Sequence, residues 1–285
     1  MTPDVVLTFV AIFAMAAFAG GFGALAGIGG GIIVVPVLTI FFGIDIRYAI
    51  GASIIAVIAT SSGAAATYIK ENITNIRVGM FLEIATTTGA LSGAFLGAFL
   101  AGPVLFLIFG GLLGLSAFLM WNKRQEDTPK FVQNDQWSAR LHLSGAYYDQ
   151  ALGREVSYNV RGAPVGLGLM YIAGLTSGLL GIGSGALKVL AMDIAMHLPI
   201  KVSSATSNFM IGVTAATSAG VYFARGQINP YLAAPVALGV LTGSLVGTRL
   251  LMRLKGSAIR KVFIVVLVIL TVQMLLKGFG INIGG

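Results

Sequence analysis

Seven long apolar runs, separated by short polar stretches, constrain this chain more than any other feature. The runs cover residues 5–42, 49–69, 78–120, 165–196, 202–224, 232–251 and 262–276. At about 1.5 Å per residue, helices of this length can cross the hydrocarbon of a bilayer, and the longest runs would hold two short crossings. Hydrophobic residues make up 56% of the 285 residues and charged residues 10%, against about a quarter in soluble domains. The sequence therefore predicts an all-α polytopic membrane protein and excludes a soluble fold.

The chain contains two copies of one unit. Sliding the sequence along itself by 154 residues aligns Gly27-Ile28-Gly29-Gly30-Gly31 with Gly181-Ile182-Gly183-Ser184-Gly185 without a gap. The same offset pairs Ile46 with Ile200, Arg47 with Lys201, Ser53 with Ser207, Tyr68 with Tyr222 and Asn75 with Asn229. We expect a first transmembrane repeat over residues 1–121, a loop over 122–162 and a second repeat over 163–285.

The loop between the copies carries eleven of the chain's charged residues and must lie outside the membrane. Residues 146–160 form two short alternating runs around Leu152-Gly153, a pattern typical of a small β-hairpin. A disordered linker fits the same residues equally well. Both interpretations stay open at the level of sequence.

The distribution of Lys and Arg predicts the orientation of the chain in the membrane. With the loop in the cytoplasm and about five segments per copy, fourteen of these residues lie inside and three outside, namely Arg47, Arg225 and Lys277. Both termini then lie outside. An odd number of crossings per copy makes the two copies inverted repeats, an arrangement that many secondary transporters use.

Each glycine-rich pentad interrupts an apolar run, and a membrane has no water to satisfy the backbone freed by such a break. Helices that start near Ile32 and Ala186 would direct free N–H groups into the protein from opposite sides. The pattern predicts two broken, glycine-rich hairpins that bind an anion through the backbone. The candidate residues are Gly29, Gly30, Gly31, Gly183, Ser184 and Gly185. The alternative is that these glycines only allow tight helix packing.

Lys188 follows the second pentad inside an apolar segment, where a charge is costly enough to indicate a function. Its counterpart in the first copy is Val34. Asp193 and His197 are four residues apart, so they could pair with Lys188 or relay a proton. The alternative is a structural pair of Lys188 with Asp193, with His197 at the membrane interface.

Hydroxyl and amide side chains open the following span, and such donors suit an oxyanion. Thr206, Ser207 and Asn208 lie there, opposite Ser53 of the first copy. The same groups also serve commonly as interhelical hydrogen bonds, and both roles stay open. Glu83 lies within a span and has no acidic counterpart, so we include it with Asp193 and His197 as a candidate for proton coupling.

These motifs resemble those of the TauE/SafE sulfite exporter family. The resemblance rests on the first pentad with the following Pro36, on Gly51-Ala52-Ser53, on the second pentad and on Ala205-Thr206-Ser207. It covers nearly the whole chain except the central loop. It implies an inner-membrane permease that exports sulfite or organosulfonates such as sulfoacetate.

The expected function is therefore that of a secondary transporter of small sulfur-containing anions by alternating access, coupled to H⁺ or Na⁺. A passive anion channel is the alternative. An enzyme is not expected, because no acid pair or histidine-rich cluster has catalytic spacing. No cofactor or metal is expected. The net charge of +8 lies in loops between spans, so nucleic acid is not an expected partner; the expected partners are a small anion and the bilayer.

Overall fold

The computed structural model of the chain describes residues 3–26, 30–70, 72–122, 133–149, 153–251 and 256–281. Within these residues the protein is almost entirely helical, with one two-stranded sheet. The predicted all-α fold is confirmed. Gly29, one of the predicted site residues, lies outside the described residues together with Gly27 and Ile28.

Five helices form the first half of the bundle. They are α1 (Pro3–Ala26), α2 (Gly31–Phe41), α3 (Ile46–Lys70), α4 (Ile76–Phe99) and α5 (Gly102–Asn122). The turn after α2 uses Gly43 in the left-handed region, with φ +61°, which a residue without Cβ adopts at little cost. Asn75 begins α4, because its side chain accepts a hydrogen bond from Val78 N and so caps the helix.

The central segment forms a short helix and a hairpin. Helix α6 (Gln136–Arg140) is followed by β1 (Gly145–Asp149) and β2 (Arg154–Tyr158), which pair antiparallel with Gly145 opposite Tyr158. Of the two possibilities left open by the sequence, the hairpin is the one that forms. It is not free-standing, because Leu143, Tyr147 and Tyr158 are buried in one apolar cluster with residues of the helical bundle.

The second half repeats the first. It contains α7 (Ala163–Leu180), α8 (Gly185–Leu190), a π-helical segment (Ala191–Ala195), α9 (Ile200–Ala224), α10 (Pro230–Leu251) and α11 (Gly256–Gly278). Each of α8 to α11 begins 154 residues after its counterpart among α2 to α5, and α7 ends 154 residues after α1. The offset found in the sequence is therefore also the offset of the helix boundaries.

Helices of the two halves pack in reciprocal pairs. Helix α1 lies against α10, and α7, the counterpart of α1, lies against α4, the counterpart of α10. Both contacts depend on glycine: a Cβ on Gly20 would collide with the carbonyl oxygen of Val240, and one on Gly174 with the carbonyl oxygen of Thr86. These pairs are related by the same offset, so the two interfaces are equivalent. Backbones that approach so closely need residues without side chains.

The equivalent helices α3 and α9 run in opposite directions past each other. Gly51, near the start of α3, lies against Gln227, just after the end of α9. At the other end, Asn75 N donates to Thr206 Oγ1 at 3.0 Å. Helices α5 and α11 are likewise antiparallel, with Gly110 against Leu275 and Gly278 against Leu107.

Several helices are long and apolar enough to cross a membrane. Among the described residues, four stretches of at least 18 residues qualify, namely Ile46–Gly63, Ile76–Phe99, Gly102–Leu119 and Ala163–Leu180. Shorter apolar stretches are Leu7–Gly23, Gly31–Phe41, Pro230–Val246 and Ile264–Gly278. Large apolar side chains such as Phe99 and Phe118 are exposed on the outer surface, as expected of a bundle surrounded by lipid.

Asp135 holds the central segment to the start of α7. One carboxylate oxygen accepts from Ser138 N at 2.6 Å and caps α6, while the other accepts from Gly162 N and Ala163 N at 2.8 and 3.2 Å. Burial disfavours the charge of Asp135, but these hydrogen bonds outweigh it and lower the pKa of the carboxyl below its usual value. A second attachment is the salt bridge from Lys201 Nζ to Asp149 Oδ1, at 2.7 Å.

Candidate functional site

The first glycine-rich break is described from Gly30 onward. Helix α2 begins at Gly31, one residue before the predicted start, and its first turn uses the Gly30 carbonyl, which accepts from Ile33 N and Val34 N at 3.2 Å each. A Cβ on Gly31 would meet Ser53 Oγ at 2.7 Å and Val57 at 2.5 Å. Glycine is needed here because the backbone of the break lies directly on α3.

The second break has an unusual backbone. Gly181 and Gly183 have φ +66° and +73°, and Ser184 has φ +45°, although it carries a side chain. Such a conformation costs about 1–3 kcal/mol for a non-glycine residue and is found mostly where the surroundings enforce it. Helix α8 then begins at Gly185, again one residue before the predicted start, and continues into the π-helical segment.

Ser53 joins the two breaks. Its hydroxyl lies 3.3 Å from the carbonyl oxygen of Gly31 and 2.9 Å from that of Gly181, and it is fully buried. Ser207, its counterpart, donates to the carbonyl of Gly185, also at 3.3 Å. Of these carbonyls, that of Gly181 directly follows the end of α7, where a helix leaves carbonyl groups unpaired, whereas Gly31 and Gly185 begin α2 and α8. These contacts are interhelical hydrogen bonds, which is the alternative role considered for the two serines.

Lys188 lies in the interior beside Glu83. Lys188 is 0% exposed and Glu83 7%. Lys188 Nζ donates to Thr214 Oγ1 at 2.6 Å, and Thr214 Oγ1 lies 2.7 Å from Glu83 Oε1. Thr87 Oγ1 donates to the same carboxylate oxygen at 3.1 Å. We call Lys188, Thr214 and Glu83 the charged cluster; it takes α8 and α9 from the second half and α4 from the first.

The charged cluster and Ser184, which precedes α8, retain unused hydrogen-bonding capacity. Glu83 Oε2 and Ser184 Oγ are buried and have no hydrogen-bond partner among the described residues. An ammonium group has three protons to donate, and in the described part of the chain the Lys188 ammonium makes one side-chain hydrogen bond, to Thr214. Buried polar atoms without partners are rare in native proteins and call for an explanation such as a ligand or a catalytic role.

The equivalent positions elsewhere in the bundle are uncharged. The counterparts of Lys188, Thr214 and Glu83 at the 154-residue offset are Val34, Thr60 and Ala237. We call these three residues the apolar counterpart. Among the described residues, the Thr60 hydroxyl donates within its own helix, to the carbonyls of Ala56 and Val57 at 3.1 Å.

A groove of about 550 Å³ lies between α3, α9 and α10, on the side of the apolar counterpart. Ile55, Phe223 and Ala237 are among the apolar residues that line it. An anion would find no donor on these side chains. The groove is therefore distinct from the charged cluster and does not suit the same ligand.

Comparison with known proteins agrees with this architecture. A profile of the family described as Sulfite exporter TauE/SafE matches residues 12–274. The chain belongs to the TauE/SafE sulfite exporter family. Among curated relatives, the probable membrane transporter protein YunE of Bacillus subtilis is 27% identical over 282 residues, covering 95% of this chain and 99% of the relative.

Other relatives are also described as membrane transporters. The probable membrane transporter protein YdhB of Bacillus subtilis is 25% identical over 78% of this chain and 82% of its own length. A probable membrane transporter protein of Xylella fastidiosa is 25% identical over 82% of this chain and 81% of its own. No solved structure matches the chain. Membership of this family makes the protein a membrane transporter, and none of these relatives is described as an enzyme.

The remaining predicted residues are Asp193, His197, Thr206 and Asn208. Asp193 is in the π-helical segment and His197 follows it with φ +56°; both side chains are partly exposed, unlike the buried Lys188. Thr206 accepts from Asn75 N, and Asn208 Nδ2 donates to the carbonyl of Ser204 at 3.0 Å.

Thr214, which links the two charges, was not among the predicted residues. The available signal was its spacing: Thr214 follows Ser207 by seven residues and precedes Ser218 by four, so all three share one face of α9. This polar face indicates a buried contact, although the spacing alone does not identify the partner.

Proposed function

We propose that this TauE/SafE transporter moves small sulfur-containing anions such as sulfite or organosulfonates, in the direction of export, by alternating access with proton or sodium coupling. One observation carries the proposal, namely the fully buried ammonium of Lys188 with a single described side-chain acceptor. A cation held inside an apolar bundle is costly unless it serves a function. An oxyanion satisfies the donors that the cluster leaves unused.

The proposed binding site combines side chains and backbone. Lys188 supplies the charge and Ser184 Oγ a free hydroxyl donor. The backbone N–H groups of Gly29, Gly30 and Gly31 in the first break, with those of Gly183 and Gly185 in the second, are the further donors proposed for the anion. Ser53 and Ser207 hold the backbone of the two breaks, and Thr206 and Asn208 are proposed as further donors to the anion.

Alternating access would follow from two inverted repeats that rock against each other about the breaks. The antiparallel course of α3 and α9, which are equivalent helices, supports this arrangement. We further propose that the chain lies in the inner membrane with the central segment in the cytoplasm and both termini outside. The coupling ion is H⁺ or Na⁺, and Glu83, Asp193 and His197 are the candidates for carrying a proton.

A binding screen tests the substrate class. The purified protein would be titrated with sulfite, sulfoacetate, taurine, sulfate and a carboxylate control. Binding of sulfite or a sulfonate is expected, with weaker binding of the carboxylate. Failure of every sulfur anion to bind would refute the proposal.

Flux into proteoliposomes distinguishes a transporter from a passive anion channel. With an imposed proton or sodium gradient, a coupled transporter accumulates the anion above its external concentration. A channel brings the anion only to electrochemical equilibrium. Accumulation that responds to neither gradient would exclude H⁺ and Na⁺ as coupling ions.

A further inference from the structure

The charge of the interior site depends on two ionisable groups. With Lys188 as ammonium and Glu83 as carboxylate, bridged by Thr214, the empty site is electrically neutral. A net charge in a region of low dielectric is costly, and removing one member of a buried pair leaves the other charge uncompensated. The empty site therefore avoids an uncompensated charge without any ligand.

Binding of an anion changes this balance. A monovalent anion on Lys188 would leave the site with one net negative charge as long as Glu83 stays ionised. Protonation of Glu83 restores neutrality. We propose that one proton on Glu83 accompanies each monovalent anion that binds at Lys188. This inference rests on the proposed function and specifies its coupling ion, its stoichiometry and the charge of its substrate.

Glu83 and Thr214 have the geometry that this exchange needs. Glu83 Oε2 has no partner among the described residues, so a proton can add there without breaking a hydrogen bond. Thr214 has one hydroxyl proton but two acceptors in reach, Glu83 Oε1 at 2.7 Å and the Met210 carbonyl at 2.8 Å. When Glu83 is protonated, the hydroxyl can donate to Met210 instead. The proton comes from solvent, and no covalent bond other than O–H forms or breaks.

Other ionisable groups on the elements around Glu83 are engaged elsewhere. They are Arg77 on α4, Tyr171 on α7, Lys201 and Tyr222 on α9, Arg225 directly after α9, and Asp193 in the π-helical segment. Arg77 contacts the carbonyl of His142, Tyr171 contacts Ser92 and Lys201 pairs with Asp149. Tyr222 and Arg225 bind main-chain carbonyls of α7 and α4, and Asp193 is partly exposed. Within the described residues, Lys188 is the charged side chain that shares a hydrogen-bonding partner with Glu83.

Two consequences follow from charge balance. A dianion such as sulfate would leave the site negative even with Glu83 protonated, so monovalent oxyanions such as bisulfite and alkyl sulfonates should be preferred. Anion and proton also move in the same direction as an electroneutral pair. Export then runs down the gradient of the anion itself and removes a proton with each one.

Proton uptake on binding is the direct measurement. The protein in a weakly buffered solution with a pH-sensitive dye would be titrated with methanesulfonate, a monoanion at every pH used, and separately with sulfite and sulfate. We expect close to one proton taken up per methanesulfonate at pH values where Glu83 is ionised. The affinity should then fall about tenfold per pH unit, as required for linkage to one proton. Sulfate should bind at least tenfold more weakly than methanesulfonate.

The variant Glu83→Gln assigns the proton. It should bind methanesulfonate with no proton uptake and with an affinity independent of pH, whereas a merely structural role would weaken binding at every pH. Glu155→Gln, at an exposed carboxylate on β2, is the control and should behave as the wild type. If Glu83→Gln does not fold, Glu83→Asp replaces it and should shift the pH midpoint of binding.

The outcomes separate the two proposals. Methanesulfonate or sulfite binding without proton uptake by the wild-type protein would overturn the present inference and leave the proposed function standing. Proton uptake that survives unchanged in Glu83→Gln, or a pH midpoint unmoved in Glu83→Asp, would also overturn it. Absence of binding of every sulfur anion would overturn both.

Discussion

The charged cluster and its apolar counterpart occupy positions that the 154-residue offset makes equivalent, and they differ in charge. In the charged cluster, a lysine and a glutamate share a threonine as their hydrogen-bonding partner. In the apolar counterpart, a valine and an alanine take their positions, and within the described part of the chain the threonine bonds to its own helix. The helix boundaries and the glycine contacts of the two halves nevertheless match. The two halves therefore share one arrangement of helices, while the ionisable groups occur in one of two equivalent places. The cluster also draws Glu83 from the first half, so the charge chemistry does not belong to the second copy alone.

The largest expected effect comes from placing a charge in the apolar counterpart. Val34→Lys would put an ammonium at a buried position whose partner position is Ala237. An uncompensated buried charge destabilises by about 3–5 kcal/mol, so the thermal midpoint in detergent should fall strongly. Adding Ala237→Glu should recover part of the loss by supplying a counter-charge. Wild-type stability of the single variant would contradict the claim that the surroundings of Val34 are apolar.

Equal effects are expected where the two halves are alike. Gly20→Ala and Gly174→Ala each push a methyl group into a backbone carbonyl across equivalent interfaces. Overpacking of this kind costs about 1–3 kcal/mol, and the two losses should be similar. Thermal unfolding measures both, with exposed Gly63 as the control site for an alanine substitution, since a Cβ there meets nothing within 4 Å. A large loss for one variant alone would break the equivalence.

The threonines should respond unequally. Thr214→Val removes the hydroxyl between two charges, and hydrogen bonds to charged groups are worth about 1.5–3 kcal/mol. Anion affinity should therefore fall at least about tenfold. Thr60→Val is the matched control and should change affinity less than about threefold, because the bonds of Thr60 to described residues stay within its own helix. Similar losses of anion affinity in the two variants would contradict the assignment of anion binding to the charged cluster.

The smallest effect concerns the central segment, which has no equivalent in either repeat. The hydrogen bonds to Asp135 hold its pKa below the ordinary value, so its stabilising contribution is present above the pKa of the unfolded state. The contribution is lost as the pH falls through the lower pKa of the folded state. Asp135→Asn should remove this dependence. Hydrogen exchange in α6 and the start of α7 checks it, and unchanged acid sensitivity in the variant would contradict the assignment.

Much of the helix arrangement could be predicted from the sequence, because the positions of the helices depend on local signals. The apolar runs and the 154-residue offset identify the helices and their duplication, and both breaks begin a helix at Gly31 and Gly185, one residue from the prediction. The hairpin was left open, since its order depends on burial of Leu143 and Tyr158 against the bundle rather than on its own residues.

The hydrogen-bonding partners within the site were not predictable in the same way. Glu83 and Thr214 are 131 residues apart, and only the packing of α4 on α9 brings them together. The roles of Ser53 and Ser207 depend likewise on the packing of α3 and α9 against the two breaks, which brings their hydroxyls to the carbonyls of Gly31, Gly181 and Gly185. Lys188 was identified because a buried charge is conspicuous in an apolar run; its partners are a property of the tertiary structure.

Flux of radiolabelled sulfite or methanesulfonate through proteoliposomes tests most directly whether Lys188 supplies the charge that binds the anion. Lys188→Met would be compared with Lys201→Met, which removes a partly exposed lysine of the same half. The double variant Lys188→Met with Glu83→Gln guards against misfolding from an unpaired carboxylate. If Lys188 binds the anion, flux should be lost in both variants that lack Lys188 and retained in Lys201→Met. Flux at the wild-type rate and affinity without Lys188 would contradict it.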